Sequence, residues 1–122
     1  MDFQESNFET SYYIRAYESG RLYINAEVYE RPLFIFQKQL EIETLPASFE
    51  ALTAAHVEDF TKLQPELLLL GTGKEQKFPE HTLLVPLIKR QIGFEVMNTA
   101  SAARTFNILA EEGRKVLGVF FV

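Results

Sequence analysis

Short runs of β-favouring residues separated by turn residues fill the first part of the chain. The predicted strands are residues 11–17, 22–24 and 33–36, followed by a short extended piece around Leu40, Ile42 and Leu45. Turn residues at 18–21 and a second reversal at 25–27 connect these strands. Pro32 is tolerated at the start of a strand, because its missing amide need not join the ladder. This part of the chain therefore predicts β-hairpins.

The middle of the chain changes to helical spacing. Leu52, Val57, Phe60 and Leu63 recur with the period of a helix that Thr53 can cap and that Pro65 ends. An uninterrupted apolar run at 67–70 then predicts a central strand that is covered on both faces.

Pro86 is the informative residue in the segment after this strand. It disfavours helical geometry at Val85 and suits the first turn of a helix, so the sequence predicts a helix over 86–91. Lys89 and Arg90 then lie at its C-terminal end, where the helix dipole favours cations.

The last part of the chain predicts strand, helix and strand. Residues 93–97 are expected to form a second interior strand, and Asn98 or Thr99 caps the strongest helix, which Gly113 ends. Residues 114–122 form the last strand. Hairpins followed by alternating strands and helices predict an α/β fold, a three-layer single domain over 1–122. It has a central mixed sheet, N-terminal hairpins and two to three helices, with residues 1–10 as a loose arm.

Composition and charge exclude several function classes. The 122 residues include no cysteine, which excludes disulfides, thiolate catalysis and cysteine-based metal sites. The net charge is −5, and the sequence has no stripe of basic residues that could bind the phosphates of a nucleic acid. The acidic N-terminus does not resemble a signal peptide, and no apolar run approaches the ~20 residues of a membrane span. We therefore expect a soluble, cytoplasmic protein without a transmembrane segment.

A glycine turn, Gly71-Thr72-Gly73, follows the apolar strand and is the most suggestive motif. It fails as a phosphate-binding P-loop, because Leu68 and Glu75 stand at two defining positions. One interpretation is a flexible turn that leaves the sheet. The other is a contact for a small anion at the carboxyl end of a strand, where open α/β sheets bind ligands.

The sequence offers no catalytic or metal-binding set. His56 and His81 each lack a second histidine at helical spacing, so no metal site and no cofactor are expected. No G-x-S-x-G nucleophile motif is present. Glu95 is more suggestive, because strand alternation turns it to the face opposite Phe94, where a covering element could supply its partner.

The last helix has two distinct faces. Its core face is formed by small and apolar residues, namely Ala102, Ala103, Phe106, Leu109 and Ala110. Arg104, Asn107 and Glu111 gather on the opposite side, with Ile108 alongside. This side is either a solvated polar face or a recognition patch, since arginine is enriched at interface hot spots.

Several sequence motifs, taken in their order along the chain, together resemble those of a known family. They are residues 65–73, 77–79, 92–99, 103–109 and 112–114. The family consists of small uncharacterised domains and includes the mitochondrial NADH dehydrogenase (complex I) assembly factor three and an adipogenesis-associated domain protein. The resemblance implies a three-layer α/β fold with no established cofactor or reaction, and its mitochondrial member acts by binding partner proteins.

The positions that fall in the recurring motifs of this family are Gly71, Thr72, Gly73, Glu95, Arg104 and Asn107. The family usually has Asp or Thr where Asn98 stands, a change that preserves helix capping.

These observations favour a non-enzymatic, protein-binding or assembly factor whose partner is another protein. Its predicted surface combines the Arg104 and Asn107 side of the last helix with the neighbouring loop 71–73. The alternative is a domain that binds a small ligand or anion with the same loop. Both hypotheses require that the strands ending at Gly71 and Met97 share one sheet, so that the glycine turn lies beside the capped start of the last helix.

Overall fold

The structure, a computed structural model, describes residues 11–122. The predicted loose arm over residues 1–10 lies outside the described residues. The elements are β1 (Ile14–Glu18), β2 (Arg21–Ile24), β3 (Glu27–Tyr29), β4 (Leu33–Phe36), β5 (Gln39–Glu41), α1 (Ala54–Thr61), β6 (Leu67–Thr72), α2 (His81–Lys89), β7 (Gly93–Met97), α3 (Thr99–Glu111) and β8 (Val116–Phe121). A short 3₁₀ turn at Phe49–Ala51 precedes α1.

The described strands form two sheets. The larger sheet has the order β5-β4-β8-β6-β7. Its strands β8, β6 and β7 are parallel to one another, and β4 is antiparallel to both of its neighbours, β8 and β5. The smaller sheet is an antiparallel β1-β2-β3 arrangement. The prediction of an α/β fold with a central mixed sheet and N-terminal hairpins is confirmed.

Apolar side chains cover both faces of the central sheet. On one face, α3 and the small sheet pack through residues such as Ile14, Leu22 and Phe106. On the other face, α1 and α2 contribute residues that include Phe60 and Leu87. All six residues of β8 are buried, as expected for the middle strand of a sheet covered on both sides. The result is the expected three-layer arrangement.

The predicted reversal at residues 25–27 is too long. Asn25 adopts a positive φ of 52°, so Asn25 and Ala26 alone complete a two-residue hairpin turn. Glu27 already pairs with Ile24, and the chain continues as β3. The sequence analysis did not predict β3, because this strand has only three residues and directly follows the turn residues Asn25 and Ala26.

The predicted helix over 86–91 is also wrong. The helix begins at His81 and carries Pro86 in its second turn. Proline removes one hydrogen bond there, which is normally unfavourable inside a helix. Pro86 and Leu87 are both buried against the core, so tertiary packing outweighs the local cost. Lys89 lies in the last turn, as predicted.

The strand β7 was predicted to lie in the interior of the sheet but lies at its edge. Among the strands of residues 11–122 it pairs only with β6, and its residues alternate between half-buried Phe94 and Val96 and exposed Gly93 and Glu95. This alternation is typical of a strand with one solvated face. The prediction treated the segment like the fully apolar β6 and so missed its polar positions.

The predicted helix caps are confirmed. The Thr53 side chain caps α1, and the Ser101 amide donates to Asn98 Oδ1 over 2.8 Å at the start of α3. Gly113 follows α3 with a φ of 80°, the left-handed conformation that ends many helices.

Candidate functional site

The glycine turn lies beside the start of α3. Gly71 is the register partner of Met97 on the adjacent strand, so β6 and β7 end together. The Thr99 amide donates to the Gly73 carbonyl oxygen over 2.8 Å, and the Gly73 amide donates to Thr99 Oγ1 over 2.7 Å. The strands β6 and β7 therefore lie in one sheet, as both hypotheses require. Two reciprocal hydrogen bonds between Gly73 and Thr99 hold the turn against the helix.

Thr99 is the central residue of this junction, although the sequence suggested it only as a possible cap. Its side chain is fully buried, and its hydroxyl donates to the Phe121 carbonyl oxygen over 2.6 Å while accepting from Gly73. One hydroxyl thus joins the ends of β6 and β8 to the first turn of α3. No sequence motif marks this role, because both partners are backbone groups brought together by the fold.

Gly71 allows the helix to approach the sheet closely. A Cβ atom at this position would lie 2.9 Å from Thr99 Oγ1 and 3.1 Å from the Ala102 Cβ. Real Cβ atoms essentially never lie within 3.0 Å of another heavy atom of this kind, so an added Cβ would force the helix or the Thr99 side chain to shift. Gly71 is therefore required for packing.

The polar groups of the turn bond mainly within the turn and to α3. Thr72 is buried, and its Oγ1 donates to the Glu75 carbonyl oxygen over 2.7 Å and accepts from the Lys77 amide over 3.0 Å. Gly73, with a φ of 103°, has its amide bonded to Thr99 as described above. The predicted anion contact relied on free amides in this turn, and the Gly73 amide is not free.

A small cleft of about 280 Å³ lies beside this turn, at the carboxyl ends of β6 and β8. Its walls include Glu50, Lys74 and Lys77, and Lys77 Nζ lies 2.7 Å from a Glu50 carboxylate oxygen. Their hydrogen bond lowers the pKa of Glu50 and raises the pKa of Lys77. Lys74 forms no ion pair with any of the described residues.

The side chain of Asn107 is bonded to the backbone of β1. Its Oδ1 accepts from the Ile14 amide over 3.0 Å, and its Nδ2 donates to the Ile14 carbonyl oxygen over 2.8 Å. The side-chain amide therefore satisfies both backbone groups of Ile14, as a residue of a neighbouring strand would, and connects β1 to α3. The carboxamide of Asn107 therefore has a structural role, and its place in a recognition surface stays a prediction.

Arg104 lies on an exposed stripe of α3, which we call the outer stripe and define as Arg104, Ile108 and Glu111. Arg104 donates to the Ser101 hydroxyl over 3.2 Å, and Ile108 is 58% exposed. All three side chains lie on the solvent side of the helix.

Glu95 lies near the same part of the molecule. The contact of 3.7 Å between Thr105 Oγ1 and Met97 Sδ places the middle of α3 next to the end of β7. Glu95 shares a face of β7 with Met97, but it is exposed and forms no hydrogen bond or ion pair with the residues that the structure describes. The covering partner suggested for Glu95 is absent among those residues.

The structure shows a further cleft that sequence reasoning did not anticipate. It measures about 1000 Å³ and lies where the C-terminal end of α3 meets the start of the small sheet and the β4–β5 turn. Tyr12, Lys38, Asn107 and Arg114 are among its lining residues. Its walls come from segments distant in sequence, so no local pattern could have indicated it.

Residues 11–122 contain neither a cluster suited to a metal ion nor a helix that could cross a membrane. No group of three or more acidic, histidine or cysteine side chains is placed to hold a metal ion. In the same part of the chain, every helix is too short or too polar to cross a membrane.

These features define a class of small α/β domains in which a mixed sheet is covered by helices on one face and by a helix and a hairpin sheet on the other. Within this class, the chain belongs to the family described as "Protein of unknown function (DUF498/DUF598)", whose model matches residues 14–121. The resemblance identified from the sequence motifs is thereby confirmed.

Named relatives of different kinds are similar to this chain. The "13 kDa major membrane protein" of Francisella tularensis is 26% identical over 95% of both chains. The "NADH dehydrogenase [ubiquinone] 1 alpha subcomplex assembly factor 3" of Rattus norvegicus is 28% identical over 90% of this chain, which spans 60% of that relative's length. An NMR structure of Xanthomonas campestris XCC1710 has a TM-score of 0.82 at 35% identity, covering 92% of this chain and 85% of the other.

Proposed function

We propose that this protein is a non-enzymatic factor that acts by binding another protein, in an assembly or accessory role. The observation that carries the proposal is the outer stripe of α3, where an exposed arginine stands four residues before a large apolar side chain that is 58% exposed. The distant similarity to a protein named as an assembly factor supports the same role.

The chemistry of the outer stripe suits a protein partner. Arg104 presents a planar, permanently charged group, and Ile108 offers apolar area that can be buried on contact. Glu95 is a separate exposed carboxylate on the edge strand β7. We expect the partner to present a carboxylate next to an apolar side chain.

The experiment is affinity capture with immobilised protein from a lysate of the source organism. Arg104→Glu and Ile108→Ser are each compared with the wild type, and captured proteins are identified by mass spectrometry. Lys62→Glu is the matched control, because the Lys62 side chain is 72% exposed at the end of α1, on the opposite face of the sheet. We expect one partner to be lost with both α3 variants and kept with the control. Identical partner lists for all four proteins would remove the outer stripe from consideration.

A small-ligand function is the second candidate, and the cleft beside the glycine turn is the observation that favours it. Lys74 in its wall is unpaired within the described chain, which leaves one cation for an anionic ligand. A ligand at 100 times its dissociation constant adds ~2.7 kcal/mol of stability. A thermal-shift screen of phosphates and carboxylates tests this function, and the absence of any shift in melting temperature argues against it.

The cytoplasmic location of the protein stays a prediction.

A further inference from the structure

Among residues 11–122, the strand β7 is a sheet edge that no other strand covers. The remaining edge strands are β5 in the larger sheet and β1 and β3 in the smaller one. Both β3 and β5 have only three residues, and β1 has a bulge between Ile14 and Ala16 and is bonded to Asn107. Short strands, bulges and covered edges prevent pairing with another chain. In contrast, β7 has five residues in unbroken register with β6.

The backbone groups of Phe94 and Val96 point away from the sheet. The Thr72 hydroxyl of β6 lies 3.4 Å from the Met97 carbonyl oxygen, so this carbonyl points toward β6. Successive residues of a strand direct their backbone groups to opposite sides, so Phe94 and Val96 point outward. The Val96 carbonyl oxygen accepts from Gln76 Nε2 over 2.9 Å, as expected for an outward group.

Gln76 occupies one position that a further strand would use. Its carboxamide nitrogen donates to the Val96 carbonyl oxygen, as a backbone amide of a neighbouring strand would, and this hydrogen bond is exposed. The Val96 amide and both backbone groups of Phe94 form no hydrogen bond outside the sheet among residues 11–122. Unpaired groups of this kind in a row form a template for an extended chain.

The side chains of β7 indicate which extended chain fits. Phe94 and Val96 are half-buried on the face that α1 and α2 cover, whereas Met97 packs on the opposite face. Glu95 lies on the same face as Met97, is exposed, and has no ion pair within the described residues. Neighbouring side chains of paired strands lie on the same face and interact. An added strand therefore needs apolar side chains beside Phe94 and Val96 and a basic side chain beside Glu95.

A second copy of β7 does not fit this pattern. Copies of one chain usually associate about a twofold axis, which would pair two β7 edges antiparallel. The register that pairs all five residues places Glu95 directly opposite the same residue of the other copy. Like charges in this position destabilise a sheet. The edge therefore favours a different chain.

We propose that the edge of β7 binds an extended segment of another protein as an added strand, with apolar side chains at alternate positions and a basic residue beside Glu95. In strand addition, the backbone hydrogen bonds supply affinity and the alternate side chains supply specificity. This edge is a different surface from the outer stripe of α3. The proposal therefore goes beyond the role proposed above, and either one can fail alone.

Selection of a phage-displayed library of random linear peptides on the immobilised protein tests the proposal. We expect enrichment of peptides in which apolar residues flank one basic residue at alternate positions. A selection that enriches no peptide, or only peptides without this pattern, overturns the proposal.

The most enriched peptide is then synthesised, and its affinity is measured by fluorescence anisotropy. Glu95→Lys should weaken binding about tenfold or more, because like charges then meet. Glu111→Lys is the matched control, because it reverses an exposed carboxylate on α3, and it should leave the affinity unchanged. Equal affinities for Glu95→Lys and the control overturn the proposal. Circular dichroism confirms that both variants are folded.

Amide hydrogen exchange locates the bound peptide. The outward amides of Phe94 and Val96 should exchange more slowly in the complex, whereas the Glu95 amide, which points toward β6, should change little. Unchanged exchange at both outward amides overturns the proposal. Slower exchange at these amides with rising protein concentration and no peptide would show that a second copy covers the edge, which also overturns it.

Discussion

Replacing Asn107 with alanine removes the side chain that fastens the small sheet to α3. In the structure, the carboxamide makes two hydrogen bonds to one residue, one with the Ile14 amide and one with the Ile14 carbonyl oxygen. Ile14 itself is 3% exposed and belongs to the core between the small sheet and the central sheet. The substitution therefore leaves two backbone groups without partners at the edge of this core.

The expected loss of stability follows from these two bonds. Each contributes ~0.5–1.5 kcal/mol net, and somewhat more where the freed backbone group stays buried. Alanine returns ~0.6 kcal/mol through its higher helix propensity. The free energy of unfolding should therefore fall by about 1–2 kcal/mol. For a chain of this length, that change lowers the melting temperature by roughly 4–10 °C.

Urea unfolding followed by circular dichroism measures the global change, and amide hydrogen exchange at Ile14 measures the local one. Glu111→Ala is the control, because it introduces the same residue at an exposed position of the same helix. Asn107→Asp retains the acceptor for the Ile14 amide but places a negative charge against the Ile14 carbonyl oxygen. It should also be less stable than the wild type at neutral pH.

Two results would refute this reasoning. One is an Asn107→Ala variant whose stability lies within 0.5 kcal/mol of the Glu111→Ala control, a margin typical of surface substitutions. The other is an unchanged exchange rate at the Ile14 amide. Either result would mean that water replaces the carboxamide without cost.

Three further predictions concern the junction of strands and the start of β8. Gly71→Ala should cost about 1–3 kcal/mol in urea unfolding, because the added Cβ would lie 2.9 Å from Thr99 Oγ1; a wild-type midpoint would contradict the close approach. Thr99→Val should cost about 2–4 kcal/mol, because the Gly73 amide and the Phe121 carbonyl oxygen both lose a buried partner, whereas Thr99→Ser should recover most of the loss. Hydrogen bonds from the Lys115 amide and the Arg114 guanidinium lower the pKa of Glu66 below its ordinary value of 4.5. The contribution of Glu66 to stability is therefore present above pH 4.5 and is lost as the pH falls through the lowered pKa. Urea midpoints of wild type and Glu66→Gln should therefore converge between pH 7 and pH 3, and a constant difference would contradict this assignment.

Much of the fold could be predicted, because its signals are local. The apolar run of β6 indicates a buried strand, and the cap at Asn98 with the glycine at 113 bounds α3. Parallel strands joined by helices then predict a mixed sheet with the glycine turn next to α3. These features depend on the periodicity and on the conformational preferences of single residues.

The remaining features depend on contacts between distant segments. Asn107 and Ile14 are 93 positions apart, and nothing near either residue indicates the other. The order of strands decides that β7 is an edge, although its alternating pattern was a signal that could have been used. Pro86 shows the opposite case, in which a strong local preference yields to burial of the helix.

The predicted site residues differ in what a substitution can reveal. Gly71, Thr72, Gly73, Asn98 and Asn107 all make contacts that hold the fold together, so their substitution alters stability and can abolish any function indirectly. Arg104 and Glu95 are exposed and lie outside these contacts. Binding experiments should therefore rest on Arg104, Glu95 and Ile108, where a lost interaction can be attributed to the surface, with unchanged unfolding midpoints as the criterion for that attribution.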